Sequence, residues 1–152
     1  MPADYAAFKL DIAKFAAKAR EKADLVARKV VFDLGSSVIM MTPVGNPNLW
    51  KHPGPKGYVG GRLRGNWQFA IDAPPDGEFE VPDPSGDGSR ANILGASAGF
   101  SMGDTGYIAN NLSYAWSIEM GHSTQAPAGM VRVTVERFTE FVDTACSEVK
   151  DL

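Results

Sequence analysis

Apolar residues recur at Phe8, Ile12, Phe15, Ala19, Ala23, Val26, Val30, Leu34, Val38 and Met41, and every step between them is three or four residues. Only an α-helix puts such positions on one side, so the spacing predicts a helix over residues 4–41. Lys9, Lys14, Lys18, Glu21, Lys22, Arg28, Lys29 and Asp33 fall mostly on its other faces. At about 1.5 Å per residue such a helix reaches roughly 55 Å, more than a small body needs to cover its own core. Either Gly35 bends it, or part of the apolar stripe packs on another subunit.

The remaining sequence must supply whatever that helix covers. With 152 residues and 44% hydrophobic content, the chain suits a single domain with one core. A formal charge of −3 and a sequence pI near 5.3 remove the broad basic footprint of a dedicated duplex nucleic-acid binder. One cysteine, Cys146, allows no internal disulfide, which suits a reducing compartment. The first residues lack the pattern of a signal peptide, and no apolar run reaches membrane-spanning length, so a soluble chain made and folded inside the cell is expected.

Proline and glycine punctuate the middle. Residues 43–61 crowd together Pro43, Gly45, Pro47, Pro53, Gly54, Pro55, Gly57, Gly60 and Gly61, which predicts an extended loop. It carries Trp50, His52 and Tyr58, and aromatic residues on a loop of this composition point to a partner surface. A partner would also order a loop otherwise free to move. Alternation over 63–72 predicts a strand, residues 74–88 read as a solvated acidic loop, and a short helix capped near Ser89 is expected to hold Ile93 and Leu94 on the core. Strands are expected within 104–121, with Tyr114, Trp116 and Ile118 as a core stripe, and a closing helix over 128–149. The expected fold class is α+β: a small, mainly antiparallel sheet flanked by a long N-terminal helix and a shorter C-terminal one.

Chemistry-bearing residues are sparse. His52 and His122 lie far apart and without companions at metal-ligand spacing, so they read as surface histidines and no metal is expected. Asp83, Ser85, Asp87 and Gly88 open like a calcium loop, but Leu94 stands where a bidentate Glu is needed. Cys146 has no flanking basic cluster and reads as a packed thiol. The glycines of the first loop lack the Gly-Lys-Ser/Thr ending of a phosphate cradle. No catalytic residue and no cofactor emerge. Arg62, Arg64 and Glu119 fall on the polar faces of the expected strands, where an Arg62–Glu119 pair at a sheet end or subunit interface would be geometrically selective. Its alternative is a solvated pair worth little. With Trp50, Tyr58 and His122, these three complete a candidate interface.

Five blocks in order carry a resemblance: Thr42-Pro43-Val44; Gly61-Arg62-Leu63-Arg64 with Trp67 soon after; Tyr107-Ile108-Ala109-Asn110-Asn111 leading to Tyr114-Ala115; Ile118-Glu119-Met120-Gly121; and Ala126 to Arg132. Together they resemble the tail-completion, or head–tail joining, minor tail proteins of long-tailed bacteriophages of the HK97 type, over about residues 38–141. Residues 45–60 and the long 74–88 loop depart from that pattern.

The resemblance implies a virion protein without enzymatic activity. It would act as a homo-oligomeric, six-fold ring that completes the head-proximal end of the tail. Its partners would be the connector or neck proteins and the tail tube or tail terminator proteins, with DNA met only as the content of the exit channel and no membrane involved. It would reside in the tail and neck of the particle, and in the host cytoplasm during assembly. A small phage-encoded module that binds a host or phage protein is the alternative from a different class.

Overall fold

A computed structural model describes residues 2–152. Helix α1 (Pro2–Met41) runs unbroken for 40 residues, about 60 Å. Gly35 leaves it continuous and serves close approach instead. A Cβ there would lie 2.7 Å from Ile93 Cδ1, so the missing side chain lets α1 settle on α3 (Asp87–Ala96).

Among the described side chains of α1, residues 5–21 are exposed and burial begins at Lys22. Val31, Val38 and Ile39 join Leu63, Trp67, Phe69, Ile93, Leu112 and Met130 in the core. Strands β1 (Trp67–Ile71) and β2 (Gly106–Asn110) form an antiparallel ribbon, with Trp67 opposite Asn110 and Ile71 opposite Gly106. Helices α5 (Val131–Glu136) and α6 (Phe138–Lys150) return along α1: Ser37 Oγ lies 2.8 Å from Thr134 Oγ1, Lys29 Nζ lies 3.1 Å from Glu148, and Lys22 Nζ donates to the Lys150 carbonyl. The class is α+β, with the long helix on one side of the two-stranded sheet and a shorter helix closing the chain.

Several elements differ from their sequence reading, each for a physical reason. The strand expected over 63–72 begins only at Trp67, because Gly61, at φ 105°, turns the chain into the single helical turn α2 (Arg62–Gly65). The Gly65 N–H then donates to the Gly61 carbonyl at 2.8 Å. Leu63 on that turn and Trp67 at the start of β1 are both buried, so the four-residue offset serves them as well as alternation would.

Within 104–121 the second expected strand is absent, and residues Ala115–Glu119 form α4. An alternating run contains pairs four apart, such as Leu112 with Trp116 and Trp116 with Met120, so its pattern also suits a helix. The stripe of Tyr114, Trp116 and Ile118 is accordingly not core: Ile118 is partly buried, Tyr114 is exposed, and Trp116 is 70% exposed.

The closing helix expected over 128–149 starts at Val131 and breaks at Arg137 (φ −94°, ψ 8°) after a run rich in β-branched residues. Cys146 is exposed, not packed, because Ala145 and Val149 take the inward positions of α6. The expected 74–88 loop ends two residues early, at Gly86, and α3 begins at Asp87. Its start is held by Asp83, whose carboxylate accepts the N–H groups of Gly86 at 3.0 Å and Ser89 at 2.8 Å. The 43–61 loop contains a 3-10 turn at Pro47–Leu49.

Candidate partner interface

Two concave surfaces and one projecting helix stand out. The first surface is a cleft of about 550 Å³ between the long proline-rich loop and α4, lined by Trp50, Tyr58, Arg62, Tyr114, Ile118 and His122. Trp50 and Tyr58 meet edge to face, their ring centroids 4.9 Å apart, so the loop carries an aromatic pair of its own. Arg62 reaches from α2 across to the acidic loop, 3.1 Å from Glu78 and 3.4 Å from Glu80. Its Nε is buried without a hydrogen-bond partner, alone in this among the described residues. Burial raises the Tyr114 phenol above its ordinary pKa. The cleft therefore offers apolar walls beside the cationic groups Lys51 and Arg62.

Four of the six residues expected at an interface, Trp50, Tyr58, Arg62 and His122, thus come together in this cleft. Arg64 and Glu119 do not. The Arg64 guanidinium donates to the Thr42 carbonyl at 2.7 and 3.1 Å and to the Pro84 carbonyl at 2.7 Å, tying the end of α1 to the acidic loop. Within the chain, the Arg62–Glu119 pair expected at a sheet end does not form, because α4 is a helix and Glu119 lines the groove beside α5 while Arg62 lines the cleft.

There Glu119 caps α5. Its carboxylate accepts the backbone N–H groups of Met130 at 2.7 Å, Val131 at 2.8 Å and Arg132 at 3.0 Å, and lies 3.3 Å from the Arg132 side chain. Burial alone would raise its pKa, but those donors outweigh it and hold the carboxyl below the ordinary range. Gly129, at φ 86°, makes room: a Cβ there would lie 2.6 Å from Glu119 Oε1.

The second surface is a groove of about 540 Å³ between β2, α4 and the start of α5. Ile108, Leu112, Trp116, Met120 and Val131 make it largely apolar, with Asn110 and the Glu119–Arg132 pair as its polar lining. Sequence reading missed it, since Trp116 and Met120 sit in a pattern that a buried strand satisfies equally well. On the projecting helix, every residue from 5 to 21 is exposed. Tyr5, Phe8, Ile12 and Phe15 form an apolar stripe there, Phe15 being 75% exposed.

Among the described residues, no group of three or more His, Cys, Asp and Glu side chains is arranged to hold a metal ion, and no helix is long and apolar enough to cross a membrane. No family model, curated protein or solved structure matches this chain.

Proposed function

We propose that this chain is a structural subunit of a tailed bacteriophage, acting without catalysis as a ring that completes the head-proximal end of the tail and joins it to the head. One observation carries the assembly part of this reading. A 40-residue helix leaves its first half in water with Tyr5, Phe8, Ile12 and Phe15 on one face. A monomer gains nothing from such a stripe, whereas a subunit that must grip neighbours does. The ordered family-like blocks from Thr42 to Arg132 support the phage part.

A second reading, a binding module acting on a host or phage protein, is favoured by the Trp50/Tyr58 cleft, whose aromatic walls and flanking cations suit a segment with an apolar side chain beside a carboxylate. Electron microscopy of the purified protein mixed with its tail tubes separates them. A ring at one tail end is the expected result. Tubes left bare by a chain that stays monomeric would leave the binding-module reading standing alone.

A further inference from the structure

The apolar stripe of α1 needs an apolar counterpart, and its own body cannot provide one. The contacts nearest the helix start, from Lys22 to the Lys150 carbonyl and from the Met102 N–H to Asp24, lie past the exposed segment. A continuous helix carries residues 5–21 about 25 Å away from the body along its axis. Meanwhile the Trp116/Met120 groove is open on the same molecule, an apolar trough of the kind that receives one face of an amphipathic helix.

Charge separates along the chain in a complementary way. Residues 5–22 carry five basic and two acidic side chains, whereas residues 23–152 carry ten basic and fifteen acidic ones. Lys9, Asp11 and Lys18 flank the Tyr5/Phe8/Ile12/Phe15 stripe on the helix surface. Asn110 of the groove is followed by Asn111, whose side chain donates to the carbonyls of Pro75 and Gly77 at 3.1 and 3.0 Å. That brings the backbone at Asp76 beside Asn111, whereas Glu78 pairs with Arg62 at the Trp50/Tyr58 cleft. A net-basic helix with an apolar stripe and an apolar groove on a net-acidic body, both on one chain, can meet only between copies.

We infer that the N-terminal half of α1 docks, through Tyr5, Phe8, Ile12 and Phe15, in the Trp116/Met120 groove of a second copy of this chain. The contact is head-to-tail, each copy donating a helix to one neighbour and receiving one from the other, and repetition by a rotation that closes gives a ring. This inference deepens the ring reading above by naming its contact.

Two double variants of the full chain test it: Phe8→Glu with Phe15→Glu, which disables the helix, and Trp116→Glu with Met120→Glu, which disables the groove. All four side chains are exposed, so circular dichroism is expected to show both variants folded. Light scattering should find the unaltered chain oligomeric, with association weakening as salt rises. Each double variant alone should become monomeric, since losing one buried aromatic weakens association roughly 10- to 100-fold. Mixed one to one, the variants have a single intact helix–groove pair between them, and the expected product is a 1:1 dimer and nothing larger. Variants that still oligomerise alone, or a mixture that stays monomeric, overturn the inference.

Vesicles of anionic phosphatidylglycerol form a further arm. Binding that requires Phe8 and Phe15 while the groove variant assembles normally would assign the stripe to a lipid surface and also overturn it. Rings at tail ends built by the helix variant would remove this contact and leave the ring reading intact. A 1:1 dimer from the mixture without any ring on tails would keep the contact and remove the placement in the tail.

Discussion

The indole Nε1 of Trp67 donates a 2.7 Å hydrogen bond to the hydroxyl of Thr42, and that hydroxyl donates in turn to the Val38 carbonyl at 2.6 Å. Both residues are almost fully buried, so the pair closes the end of α1 onto β1 without leaving a polar atom unmet. Thr42→Val keeps the shape and removes the acceptor. It should destabilise the protein by about 1–3 kcal/mol through an unpaired indole N–H, while Thr42→Ser should retain most of the stability. Urea unfolding of the two variants checks this, and equal losses would mean the hydroxyl contributes little.

Glu119 governs how stability responds to acid. Its folded pKa lies below the unfolded value of about 4.3, so its contribution is present above that value and is lost as pH falls through the folded pKa. Asp83 at the start of α3 behaves the same way, its carboxyl also lowered by donors that outweigh burial. Glu119→Ala, which leaves three N–H groups of α5 without their acceptor, should cost roughly 3 kcal/mol at neutral pH. Denaturation curves from pH 7 to pH 3 should show a shallower acid limb in that variant than in the unaltered protein.

Lys29 sets the opposite limb. Hydrogen bonding to Asp33 outweighs burial and, with Glu148, raises its pKa, so the stabilisation is complete below the unfolded value of about 10.4 and disappears as pH rises through the folded value. Lys29→Met should flatten the decline of stability above pH 10, measurable by thermal unfolding in carbonate buffers.

Gly35→Ala sets two effects against each other. Alanine favours the helix by up to about 1 kcal/mol, but its methyl collides with Ile93, whose side chain is held in the core. Overpacking typically costs about 1–3 kcal/mol, so the net change should be destabilising. Adding Ile93→Val removes the colliding Cδ1 and should recover part of the loss. Calorimetry of the single and double variants gives the answer, and additive losses would argue against the collision.

Arg62 and Arg64, two residues apart, should behave differently. Arg62 pairs with exposed carboxylates, which contribute about 0–1 kcal/mol, so Arg62→Ala should leave stability nearly unchanged. Arg64 holds two backbone carbonyls that no other side chain reaches as closely, and Arg64→Ala should cost about 2 kcal/mol and expose the 79–86 amides to hydrogen exchange.

Long-period features were legible in the sequence and short ones were not. The three-and-four spacing from Phe8 to Met41 predicts α1 almost to the residue, because no other element satisfies nine such steps. Between Leu63 and Met120 the runs are short, and spacing of two contains spacing of four. The choice between strand and helical turn then rests on Gly61 at φ 105° and on which neighbours Leu112 and Leu63 meet in the folded chain. Trp50, Tyr58, Arg62 and His122 were recognisable one by one through residue type and loop composition, but their convergence in one cleft depends on how the 43–61 loop lies across α4. Glu119 is recognisable by its charge, but within the chain it binds Arg132 and three backbone N–H groups, and sequence does not display the latter.

Held over its second half and free over its first, α1 is a lever arm. With an arm of about 30 Å, a tilt of 10° at the anchored half moves the tip by about 5 Å, close to one helical pitch. Small repacking where Gly35 meets Ile93 is thereby magnified at Phe8, so the position of the helix tip answers to a contact deep in the body.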